Sequence, residues 1–180
     1  MKQPWRSVAV VSLIASMVLI AVQAQASEPL VRFEEFPVSE RYTCTPAAVN
    51  LSSDPEAQRF RTVLHNGAKQ GPNFAGHYTV ITWGCGTSCQ SLAIVDAKTG
   101  AVYMTGLIAE AGAKFRIDSQ LLVVNPAGNI AEGYGNNPPN SLTSRYYVWE
   151  NNQLVELLPP KSDRSSFSVS RGETYFTPLC

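Results

Sequence analysis

Charge is scarce in this chain and imidazole scarcer: 16% of the 180 residues are Asp, Glu, Lys or Arg, fourteen of each sign, and only His65 and His77 are histidines. No run of Lys or Arg occurs anywhere. That argues against nucleic acid or an anionic membrane as partner, because both are held by a concentrated positive patch. The sequence also lacks G-x-S-x-G, a P-loop and H-E-x-x-H, and its carboxylates, among them Glu34, Glu35, Asp96, Asp118 and Glu132, form no readable pair for glycosidase-like work. No cofactor is implied.

What is present begins with the amino terminus. Lys2 and Arg6 precede an apolar run of 15 residues from Val8 to Val22, and Ala24-Gln25-Ala26 offers small residues where a signal peptidase reads. Fifteen residues at about 1.5 Å each cover roughly 22 Å, short of a hydrocarbon core of about 30 Å. A cleaved signal peptide over 1–26 is therefore expected, with no stable membrane anchor afterwards. A single domain follows over 27–180. Losing Lys2 and Arg6 leaves 12 basic against 14 acidic residues. The expected location is periplasmic or secreted.

Four cysteines in an exported chain read as two disulfides. Three pairings are possible, and Cys85–Cys89 with Cys44–Cys180 is favoured. The first pair is close in sequence, and the second fastens the far end of the chain. Closing a loop of more than 100 residues contributes roughly 4 to 5 kcal/mol in the chain-entropy model, against about 2 for a loop of five.

Periodicity supplies the architecture. Ser53-Asp54-Pro55-Glu56 reads as a capping box, and Ala57, Phe60, Leu64 and Ala68 form an apolar helical stripe that Gly71-Pro72 ends. From Gly76 the period becomes two. Tyr78 to Trp83, Leu92 to Val95 and Val102 to Met104 make one meander, with Gly100 placed for a left-handed turn. Phe115 to Ile117, Leu121 to Val124, Tyr146 to Trp149 and Leu154 to Leu158 make a second, closed by Asn151-Asn152. The expected fold is α+β: a curved antiparallel meander sheet of six to seven strands, apolar on both faces, with one N-terminal amphipathic helix and two disulfides.

The stretch "GPNFAGHYTVITWGCGTSCQSLAIVDAKTGAVY", Gly71 to Tyr103, resembles the signature of a family of small exported bacterial proteins of unknown function. The resemblance covers about a fifth of the chain and implies no activity or catalytic residue. "DSQLLVV" and "YYVWENNQLVEL" weakly resemble strand pairs of β-propeller blades.

Three site readings compete. Thiol chemistry needs Cys85 or Cys89 beside a base, and His77 is the nearest candidate, yet eight residues of strand at about 3.3 Å separate His77 from Cys85 by roughly 26 Å. His65 on the helix is the other histidine. "CGTSC" differs from the Cys-Gly-Ser-Cys-Trp string of papain-like proteases, having one extra residue and its tryptophan ahead of the cysteines. Metal binding lacks a fourth ligand and a second close-spaced pair, so no metal is expected. The segment 125–144, rich in Gly, Pro and Asn, is longer than a structural connection needs. Tyr134, Asn136 and Asn137 are its candidate binding residues. The reading favoured is a non-enzymatic binding or inhibitor-like module acting on an envelope protein or polymer; the alternative is an envelope enzyme, hydrolytic or thiol-dependent, built on His77, Cys85 and Cys89.

Exported protein is expected to start at Ser27, and non-reducing peptide mapping to give Cys85–Cys89 and Cys44–Cys180. A free thiol at either member of the short pair would contradict the disulfide reading.

Overall fold

The computed structural model describes residues 31–158. The expected leader, its cleavage site and Cys180 lie outside them. Among the described residues seven strands form two antiparallel sheets where one curved sheet was expected. Sheet one contains β1 (Tyr78–Gly86), β2 (Cys89–Asp96) and β3 (Val102–Ala109) in sequence order. Sheet two contains β4 (Ala113–Phe115), β5 (Leu121–Val124), β6 (Arg145–Glu150) and β7 (Gln153–Leu157), also in order.

The break between the sheets follows from the chain between β3 and β4. Glu110 to Gly112 bends, Gly112 adopts φ +79°, and β4 then pairs with β5 and not with β3. Alternation along each strand buries both faces of sheet one. Val80, Leu92 and Ile94 face sheet two and share a core with Phe74, Leu122, Val124, Tyr147 and Trp149. Ile81, Ala93, Val95 and Val102 face the opposite way, against Ala57, Leu64 and Ala68. Leu64 is fully buried. A leucine in that position contributes roughly 1.5 to 3 kcal/mol by leaving water.

The helix that covers sheet one is shorter than its apolar stripe. Ala57–Phe60 is a 3-10 turn, and only Arg61–Ala68 is α-helical (α1). The expected capping box does not form. The Ser53 hydroxyl instead donates to the Asn50 carbonyl at 2.6 Å and accepts the Val102 N–H at 2.7 Å, while the Asp54 carboxylate takes the Met104 N–H at 3.0 Å. These are outward-facing donors of edge strand β3, and an unpaired buried donor costs more than a helix cap returns.

The Gly-, Pro- and Asn-rich stretch 125–144 is also not simply a loop. Ala127–Tyr134 forms a second helix, α2, entered from Pro126 and left through Gly135 at φ +59°. Ile130 is buried, and the Asn125 side chain accepts the Ala111 N–H at 2.9 Å, which pins the departure point. Tertiary contact here overrides poor helix propensity at Gly128, Asn129 and Gly133.

The two sheets are joined by Asn73 to Tyr78. Phe74 and Tyr78 bridge each other across a three-residue turn, with Tyr78 N–H to Phe74 O and Phe74 N–H to Tyr78 O both at 2.9 Å. The turn points its own donors at sheet two: Gly76 N–H bonds Ile117 O at 2.7 Å and Ala75 N–H bonds Ser119 O at 3.2 Å. The Asn73 side chain then caps β1, accepting Val80 N–H at 2.8 Å and donating to Val80 O at 3.1 Å. Residues 36–50 run across both sheets, bonding Asp118 and Gln120 at one end and Ala97 and Gly100 at the other. Arg116 pairs with Asp118, at 2.8 and 2.7 Å, and with Glu34 just ahead of the strap, while Arg41 within the strap lies 3.3 Å from the Asp118 carboxylate.

Gly76 sits where strap and turn cross, at φ +83°, with the Glu40 carbonyl in the space a Cβ would fill. Gly71 has a similar φ of +80° and open space around it. Gly71→Ala is therefore expected to lose about 1 to 2 kcal/mol from backbone strain alone, and Gly76→Ala distinctly more, measured by denaturant unfolding. Equal losses would show that the strap crossing is not tight.

Candidate functional site

The molecule has two unlike ends. At one lie the Asn73–Tyr78 turn, the β2–β3 loop, the β4–β5 turn and the Asn151-Asn152 turn, tied together by the bonds above and by Tyr78 Oη donating to Asn152 Oδ1 at 2.7 Å. At the other lie the β1–β2 hairpin tip, the 110–112 bend and the start of α2, whose Asn129 Nδ2 donates to the Ala111 carbonyl at 2.9 Å.

His77 belongs to the tied end. Its Nε2 is 3.7 Å from Asp96 Oδ1, and its ring centroid is 4.1 Å from that of Tyr78. Asp96 is buried and already engaged, its Oδ1 accepting Lys98 N–H at 2.8 Å and its Oδ2 the Thr99 hydroxyl at 2.7 Å. Those bonds shape the β2–β3 loop. Burial pushes the His77 imidazole below its ordinary pKa and Lys98 adds to this, while Asp96 and Glu40 oppose it. His77 is thus a half-buried residue at a loop junction whose charged form is disfavoured by burial.

The Asp96 partnership was missed in the sequence, although the register contains it. A hairpin closed through Cys85 and Cys89 pairs residues symmetrically about the tip, which sets Trp83 opposite Ser91 and Tyr78 opposite Asp96.

Cys85 and Cys89 are bonded to each other, with Cα atoms 5.1 Å apart, across the tip of β1 and β2. Because β1 runs unbroken from Tyr78, His77 and Cys85 stand at its opposite ends, on the order of 25 Å apart at strand rise. His77, Cys85 and Cys89 are not one site. His65 lies elsewhere again, exposed on α1 beside Lys69, at a groove of about 330 Å³ whose lining includes Pro46, Val49 and Ala68. Among the described residues no three His, Cys, Asp or Glu side chains gather as metal ligands. The expected Cys44–Cys180 pairing has one member, Cys180, outside the described residues.

The cysteine end carries the exposed chemistry. Gly84 to Ser88 is exposed throughout, with Gly86 at φ +141° and Ser88 at φ +50° held by the disulfide. On the helix side of the tip, the Trp83 and Phe60 rings pack with centroids 4.9 Å apart and planes tilted 40°, and the Arg59 guanidinium lies 5.8 Å from the Phe60 centroid. Ile108 is 42% exposed on neighbouring β3, a large value for a strand isoleucine. Tyr134 ends α2 half-buried, and Asn136 and Asn137 follow it on the surface.

The chain matches no protein-family model, no curated protein and no solved structure. Among the described residues no helix is long and apolar enough to cross a membrane.

A depressed His77 pKa has a defined sign. The unfolded chain takes up its proton near the ordinary value of 6.5 and the folded chain only below it, so stability present at higher pH is lost as pH falls through this window. Wild-type protein is expected to lose more thermal stability than His77→Gln on acidification through this range. A difference between the two that is constant with pH would contradict the assignment.

Proposed function

We propose that this chain is an exported, non-enzymatic binding module of the cell envelope, periplasmic or secreted, and that it contacts an envelope protein or polymer through its cysteine end. The observation that supports this is the coincidence at one end of a disulfide-closed hairpin tip, the Trp83–Phe60 pair and the α2 excursion. A contact surface gains from rigidity, since a loop already held in one conformation loses little entropy on binding. Partly exposed aromatic residues beside an arginine supply the side chains that most often dominate such contacts. Tyr134, Asn136 and Asn137, at the far end of α2, are further candidates for contact. The tied end, by contrast, spends its polar groups on internal bonds.

The test compares wild type with Trp83→Ala and Tyr134→Ala for co-sedimentation with purified sacculi and outer-membrane vesicles, and for capture of a panel of purified envelope proteins. Trp83→Ala is expected to weaken retention about tenfold or more, with the Cys85–Cys89 bridge intact by mass. Retention indifferent to both substitutions would contradict the proposal. So would a hydrolytic or thiol-exchange turnover abolished by His77→Ala.

A further inference from the structure

Sheet one has two edges, and the fold closes part of each with side chains. On β3, Ser53 and Asp54 occupy the outward N–H groups of Val102 and Met104. On β1, Asn73 occupies both outward groups of Val80, and the Phe74 bridge occupies those of Tyr78. Strand geometry alternates, so the next residues of β1 that face away from β2 are Thr82 and Gly84. Among the described residues, their backbone N–H and C=O groups have no hydrogen-bond partner outside the β1–β2 ladder, and both residues are exposed. An open edge is a hazard that folds ordinarily cover. Beside the Trp83–Phe60 pair and the disulfide tip it is left open.

Resting on the binding-module reading, we propose that Thr82 to Gly84 of β1 receives an extended peptide segment of a partner protein, which adds a strand to sheet one. Main-chain bonds to Thr82 and Gly84 would supply the pairing, and alternate partner side chains would fall on one face. On the helix face an apolar side chain meets Trp83 and Phe60, and an acidic one meets Arg59, whose guanidinium has no carboxylate partner among the described residues. A second copy of this chain fits less well. An isologous pairing over three residues buries far less than the roughly 1,200 Å² of a stable interface, and it carries Arg59 from each copy to the same small contact.

The probe is a phage-displayed library of random heptapeptides selected on the whole protein. Enriched peptides are expected to alternate apolar residues, to include an acidic one and to lack proline at the paired positions. Thr82→Pro removes one outward N–H without touching the β1–β2 ladder, and is expected to weaken those peptides about tenfold. Arg59→Glu is expected to weaken the acidic ones about threefold or more. N-methylation at alternate peptide positions should abolish binding. No enrichment over Thr82→Pro, indifference to N-methylation, or a dimer in which Thr82→Pro restores monomer would each overturn the proposal. If Trp83→Ala alone releases an envelope ligand while Thr82→Pro does not, strand addition fails and the binding module stands.

Discussion

The turn from Asn73 to Tyr78 is the constraint on which the remaining structure depends. Two antiparallel meanders could each fold locally, but their shared core exists only if Phe74, Tyr78 and Val80 are presented to Leu122, Tyr147 and Trp149 at the right spacing. The turn fixes that spacing with backbone bonds from Ala75 and Gly76 into the β4–β5 turn. Trp149 then gathers three aromatic neighbours, Phe74, Tyr78 and Tyr103, with ring centroids at 6.4, 5.1 and 5.3 Å. Its backbone N–H donates to the carbonyl of Gln120, the residue after the buried Ser119. Aromatic packing and main-chain pairing therefore act at the same seam.

This division of labour explains the asymmetry between the two ends. At the seam, polar side chains act as substitutes for strands: Asn73 for β1, Ser53 and Asp54 for β3, Asp96 for the β2–β3 loop. At the cysteine end the disulfide replaces them, and a covalent bridge holds the tip without consuming its outward backbone groups. Rigidity and availability are thereby combined in Thr82 to Ser88. Nothing in that arrangement calls for an acid–base group, and His77 stands at the other end of β1.

Much of the secondary structure was legible in the sequence, and for local reasons. Two consecutive asparagines both adopt positive φ, 49° at Asn151 and 61° at Asn152, as a tight hairpin requires, and Gly100 takes φ +77° in its loop. Strand alternation located both meanders. The separation into two sheets was not legible, because it depends on the 110–112 bend and on bonds from a turn nearly forty residues upstream. The helix α2 was hidden by composition, since Gly and Asn at low propensity were stabilised by Ile130 burial and the Asn125 contacts. The capping box misled because Ser53 and Asp54 had a second use that only tertiary structure reveals. Of the candidate site residues, the cysteine pairing Cys85–Cys89 was readable from spacing, whereas Phe60 against Trp83 required the helix to be placed on the sheet.

Native-state amide hydrogen exchange on the oxidised protein tests this account most directly. The amides of Gly76, Tyr78 and Val80 are predicted to exchange only through global unfolding, while those of Thr82 and Gly84, on the same strand, exchange orders of magnitude faster through local exposure. Fast exchange at Gly76 would mean that the turn does not hold the sheets together. Slow exchange at Thr82 would mean that the edge is already occupied.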